Sequence, residues 1–131
     1  MREIKFRQWD KRTKRFHYFG FDVDVDGSIF SSPLNPCRER YPVSQYTGIK
    51  DPNGVEIYEG SIVLLHEYED RGDGSYETAL AVTEWDDHYS GFMFKTITEV
   101  GASEEIFMFE YTAEVIGSIN ENPELLTTEN N

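Results

Sequence analysis

An all-β domain is the fold this sequence predicts: bent antiparallel strands forming one or two small SH3-like barrels, with a short C-terminal helical turn. Three observations predict it. Aromatic residues make up 15% of the 131 residues, with eight Tyr, nine Phe and two Trp, and rings pack well on a pleated surface. Apolar and polar residues alternate with period two along much of the chain. The interruptions are short and carry Gly, Asp or Asn, which take positive φ at little cost. A chain of this length has room for one domain, 1–131, and buries roughly two thirds of its unfolded surface, so it needs neither metal nor disulfide to fold. A subdomain boundary is expected near 31–42.

Each element follows from local pattern. EIKFRQWD alternates, with Ile4, Phe6 and Gln8 on one face and Lys5, Arg7 and Trp9 on the other. DKRTKR is a polar turn before FHYFGFDVDV, so the opening reads as a hairpin with its loop at about Asp10 to Lys14. DVDVDGSIF carries a second hairpin whose two-residue turn is Asp26-Gly27. SSPLNPCRERYP has three prolines in twelve residues, which excludes a central strand and marks a loop or boundary. Strand segments VSQYTGI, EIYEGSIVLLHEY, ETALAVTEWD, HYSGFMFKTITEV and EEIFMFEYTAEVIGSI follow, broken at KDPNG, EDRGDG, DDHYSG and GASE.

The stretch QYTGIKDPNGVEIYEGSIV is the most organised. Tyr46 and Ile49 are expected to face inward, and Asp51-Pro52-Asn53-Gly54 forms a turn with Pro preset for its second position. Glu59-Gly60-Ser61 interrupts the pairing as a bulge or tight corner. EEIFMFEYTAEVIG fits helical and strand spacing alike, and its aromatic and β-branched content assigns it to strand. Asn122 is placed to cap the closing turn, Pro123 suits its first position, and Leu125 and Leu126 anchor it.

Reactive motifs are sparse. Asp22, Asp24, Asp26 and Gly27 imitate the opening of a calcium loop, but Pro33 stands where the bidentate Glu belongs, so the stretch reads as an exposed hairpin. His17, His66 and His88 lack metal-ligand spacing, and Cys37 is the only cysteine, near Arg38 and Arg40 but with no neighbouring His to activate it. No GxSxG and no glycine-rich phosphate loop occurs, and the many carboxylate pairs carry little meaning in a chain this acidic. The expectation is a protein without catalytic residues, metal or cofactor.

Charge is the stronger signal. Twelve Lys and Arg stand against twenty-five Asp and Glu, for a net of −13. Residues 1 to 15 hold seven basic residues and two acids, a local +5, which leaves −18 for residues 16 to 131. The plain reading is a basic arm paired with an acidic body whose charge aids solubility. A sharper one notes that Arg2, Lys5, Arg7, Trp9, Lys11 and Arg12 combine cations with rings, the ingredients of single-strand nucleic-acid recognition. The opposite reading uses the body, where carboxylates on a rigid β surface imitate DNA phosphates and occupy a basic protein.

Three blocks, REIKFRQWD, QYTGIKDPNGVEIYEGSIV and VIGSINENPELL, in this order and spacing, resemble the YopX family of phage and prophage proteins, from Arg2 to Leu126. Two positions depart from the family pattern. Ser61 stands where Asp is common, and Ser makes the same local turn bonds more weakly; Gln8 replaces the Ala often found before the Trp. The resemblance implies a small all-β phage or prophage accessory protein in the cytoplasm of an infected bacterium, with no established activity and hence no functional residues to carry over. The expected function is non-enzymatic binding of a host or phage macromolecule, with nucleic acid at the basic arm first and the acidic decoy second. The N-terminus starts with charges and has no apolar signal region, no segment suits a membrane, and homo-oligomers are open.

Overall fold

A computed structural model describes residues 4–23, 25–32, 42–70, 72–97 and 104–126. Ten strands form two five-stranded antiparallel sheets. The first contains β1 (Lys5–Asp10), β2 (Arg15–Val23), β3 (Ile29–Ser32), β4 (Val43–Lys50) and β5 (Glu56–Tyr58), in the order β3-β2-β1-β4-β5. The second contains β6 (Ser61–Asp70), β7 (Tyr76–Asp86), β8 (Gly91–Thr96), β9 (Glu105–Phe107) and β10 (Ala113–Ser118), in the order β10-β6-β7-β8-β9. A 3₁₀ turn at Pro123–Leu126 closes the described chain. The all-β class and the helical turn are as expected, and among the described residues neither sheet closes into a barrel.

The opening hairpin has the expected loop. Asp10 pairs with Arg15 across it, the Asp10 carboxylate accepts from the amides of Arg12 and Thr13, and Lys14 takes φ 60°. The second hairpin is wider than expected. Val23 pairs with Ile29, which leaves five residues between strands rather than two. Asp26 Oδ1 accepts from both the amide and the hydroxyl of Ser28, a side-chain turn that competes with a tight backbone one. The predicted boundary at 31–42 lies almost wholly outside the described residues.

Within the central block, Asp51-Pro52-Asn53-Gly54 turns as predicted, with Gly54 donating to the Asp51 carbonyl. Ile49 does not face inward beside Tyr46. It is 45% exposed, whereas Tyr46 is buried. The cause is a bulge that sequence reading missed: three residues of β4 oppose one of β5, with Gly48 at φ 91°. Thr47 secures it by donating to the Ile57 carbonyl at 2.7 Å and accepting from the Ile49 amide.

Glu59 and Gly60 make the expected corner, Gly60 at φ 89°. Ser61 Oγ accepts from the Tyr58 amide at 3.0 Å. The corner does more than break a ladder. It hands the chain from the edge of the first sheet to the second, so the first sheet is not curled back on itself. EEIFMFEYTAEVIG likewise splits into β9, a turn and β10, because the Glu110 side chain and amide bond back to Phe107.

The apolar core gathers Ile57 with Val63, Leu65, Ala81, Phe94, Ile106 and Ala113 from the second sheet. Three backbone links join the sheets here. Gly60 donates to Thr83, Ile119 donates to Gly60, and Val115 donates to Asp51 Oδ2. Asn122 shapes the end of the chain by its carbonyl, which accepts from Leu125. Its side chain reaches back to the Ser118 amide rather than forward to cap, in space that Gly117 leaves free: a Cβ there would lie 2.3 Å from Asn122 Oδ1.

Candidate functional site

The residues predicted to form a nucleic-acid surface divide into two groups. Alternation along β1 places Arg7 and Trp9 on one face, and that face is covered. Arg7 is only 8% exposed and Trp9 is buried. The Arg7 guanidinium lies between two rings, 3.9 Å from the centroid of Phe16 and 4.5 Å from that of Tyr58. Its Nη2 donates to Ser61 Oγ at 3.5 Å, while Nε makes no hydrogen bond. Burial lowers the Arg7 pKa from its ordinary value. Trp9 packs edge-on against Phe16 at 4.9 Å. Both side chains are therefore interior, and neither is presented to a partner.

Lys5 Nζ pairs with Glu56 Oε2 at 2.5 Å and lies 5.5 Å from the Tyr46 ring. This ion pair joins the basic arm to an acid of the remaining chain, within the first sheet. Burial acts to raise the Glu56 carboxyl, but the bonds from Lys5 and Tyr58 prevail and hold it below its usual range. Burial, reinforced by Glu56, pushes the Tyr58 phenol up. Lys11 and Arg12 are exposed in the β1–β2 turn beside exposed Lys14 and Arg15. Arg2 lies outside the described residues, as do Asp24, Cys37, Arg38 and Arg40.

At the sheet junction, Asp51 is buried at the floor of a cleft of about 280 Å³ that Lys50, Ile57, Phe94, Met108 and Tyr111 also line. Its Oδ1 accepts from Asn53 and Val55 and its Oδ2 from Val115, each at 2.9 Å. Burial acts to raise this carboxyl, yet the three amides prevail and hold it below the usual range. With both oxygens accepting backbone amides, the carboxylate ties the β4–β5 turn to β10. Among the described residues, no group of three or more His, Cys, Asp or Glu is arranged to hold a metal, and no helix is long and apolar enough to cross a membrane.

The architecture also divides the charge by sheet. Residues 1 to 60, which carry the first sheet, hold ten basic and nine acidic residues. Residues 61 to 126, which carry the second, hold two basic and fifteen acidic, a net of −13. The cations of the first part are also partly internal. Sequence reading placed the division at residue 15, where the basic run ends; it gave a corner at Gly60 but not that the chain passes there from one sheet to the other. It also missed a set of exposed rings, Trp85, Tyr89, Phe107 and Phe109, for which the spacing Phe107-Met108-Phe109 was the available signal.

Comparison with known proteins agrees with this architecture. The sequence model of a family described as YopX protein matches residues 5–127. A solved structure, the crystal structure of protein EF1440 from Enterococcus faecalis, is similar with a TM-score of 0.56 at 24% sequence identity, covering 97% of this chain and 100% of that one. That likeness concerns the fold. No curated protein gives a significant match.

Proposed function

The chain belongs to the YopX protein family, and from that premise we propose that it is a non-enzymatic phage or prophage accessory protein whose acidic second sheet binds a basic macromolecule of host or phage. The observation that carries this reading is the charge division, with fifteen acids against two basic residues over 61–126. Carboxylates on a rigid ladder hold fixed positions, which favours a cationic partner and speeds its encounter. The test is recovery of a basic partner from bacterial lysate at low salt, with the complex dissolving as ionic strength approaches about 0.5 M. Recovery that ignores salt, or no recovery, refutes the reading.

A second reading, nucleic-acid binding at the β1–β2 turn, is favoured by the exposure of Lys11, Arg12 and Lys14 in the turn and of Arg15 at the start of β2. Arg7 and Trp9 take no part in it. Fluorescence anisotropy with single-stranded and duplex oligonucleotides at low salt tests it: binding that weakens in Lys11→Ala/Arg12→Ala supports it, and no binding at micromolar protein ends it.

A further inference from the structure

We propose that the exposed rings of Tyr89, Phe107 and Phe109, with the carboxylates around them, form a docking site for an arginine- or lysine-bearing segment of another protein. This locates the partner surface within the acidic-sheet reading above and rests on it.

Residues paired across an antiparallel ladder share a face, so Glu84, Met93 and Phe107 form one row across β7, β8 and β9. Tyr89, from the turn between β7 and β8, sets its ring edge against Phe107 at 5.2 Å. Phe109, from the turn after β9, stacks on Phe107 at 5.4 Å with the planes 12° apart. His88 extends the series edge-on to Tyr89 at 4.8 Å. These are not core residues: Phe107 is 37% exposed, Tyr89 50% and Phe109 84%. A run of ring surface left in water on a folded domain marks an interaction site more often than a scattered Phe does.

The rings are also held for presentation. The Phe107 amide donates to Glu110 Oε1 and the Glu110 amide to the Phe107 carbonyl, which fixes the turn that carries Phe109. A partner would therefore meet a surface already arranged, with little ordering cost.

Charge selects the occupant. Glu84, Asp86, Asp87, Glu105 and Glu110 belong to the same strands and turns, with Lys95 facing Glu105 across the β8–β9 ladder. A hydrogen bond to Asp86, with the charge of Asp86 behind it, holds the Glu105 carboxyl above its usual range. Ring faces carry negative potential and attract guanidinium and ammonium groups. A neutral apolar partner would bring these carboxylates no countercharge, and a nucleic acid would be repelled by them. A basic segment satisfies rings and acids together.

The test uses isothermal titration of the whole protein with a nonaarginine peptide, against an uncharged peptide of equal length. Phe109→Ala and Tyr89→Ala, both at exposed positions, are expected to weaken nonaarginine binding about fivefold each, while Glu124→Gln, beyond β10 at the opposite edge of the sheet, changes it less than about twofold. If wild type binds and both ring variants bind equally well, the ring site is overturned while the acidic-sheet reading stands. If wild type binds nonaarginine no better than the uncharged peptide, that reading falls and takes the site with it. Loss of self-association in Phe109→Ala, seen by sedimentation of the protein alone, would assign the rings to a second copy of this chain and overturn the proposal. So would loss of oligonucleotide binding in the same variant.

Discussion

The two sheets are built on the same antiparallel plan but differ in the polar groups they bury. In the second, Val63, Leu65, Ala81, Phe94, Ile106 and Ala113 exclude water by apolar volume, and the buried polar side chains, Ser61, Thr83, Thr96 and Ser118, are uncharged hydroxyls. In the first, Arg7, Gln8 and Asp10 are buried among Trp9, Tyr46 and Tyr58, so polar groups must be satisfied in place. The second tolerates changes of shape that conserve volume. The first depends on directed contacts, because a buried polar group left alone costs more than a bond gains.

The largest separation should come from Phe94→Ala. Emptying a buried ring site costs about 3–5 kcal/mol, readable as a lowered midpoint in urea. Phe94→Leu should recover most of it; recovery by neither would mean that the second sheet also depends on specific contacts. Asp51→Ala tests the joint between sheets. Losing an acceptor of three backbone amides should cost about 3 kcal/mol, and Asp51→Asn should remain well short of wild type because it cannot serve as a charged acceptor at both oxygens.

Arg7 sharpens the comparison at smaller scale. Arg7→Ala removes the group between Phe16 and Tyr58 and should cost about 2–3 kcal/mol. Arg7→Met fills the slot and abolishes a buried charge whose Nε is unbonded, so it should cost under about 1 kcal/mol. If Met is as harmful as Ala, the stacked cation is worth more than its volume, and the interiors differ even further than described.

The smallest effect is a pH dependence. His17 is the first cause, followed by the amides of Arg12 and Thr13 against a burial penalty, that holds the Asp10 carboxyl down at about 2, from an ordinary 3.8. The unfolded chain therefore binds the proton more readily between these values, so stability rises with pH there. The Asp10 contribution is complete above about 4 and is lost as pH falls through about 2. Asp10→Asn should flatten that part of the profile, measured by urea titration at several pH values. A profile unchanged by the substitution would show that Asp10 is not the group responsible.

Much of this fold was legible because it rests on local rules. The Asp51-Pro52-Asn53-Gly54 turn, the hairpin at Asp10 to Lys14 and the corner at Gly60 are written in residues with fixed backbone preferences. What could not be read depends on partners distant in sequence. Ile49 was misplaced because the bulge at Gly48 is defined only against β5. Arg7 and Trp9 read as a surface because the rule that cations stay outside fails when two rings, Phe16 and Tyr58, cover the guanidinium. The exposed rings were hidden for the opposite reason: aromatic residues in a β protein are expected inside, and only the edge-strand position of Phe107 and the turn positions of Tyr89 and Phe109 show otherwise.

The seam between the sheets also bears on how the protein is made. Asp51 and Gly60 each wait for β10 or the residue just after it, since Val115 supplies the amide for one and Ile119 for the other. At roughly 5–20 residues per second on the ribosome, several seconds separate the synthesis of Asp51 from that of Val115. During that interval β1 to β9 can pair, but the carboxylate at the joint lacks its third amide. Full closure of the two halves thus belongs to the end of translation, and a chain stalled before β10 would keep the Gly60–Thr83 bond between the sheets but lack the two that Val115 and Ile119 supply.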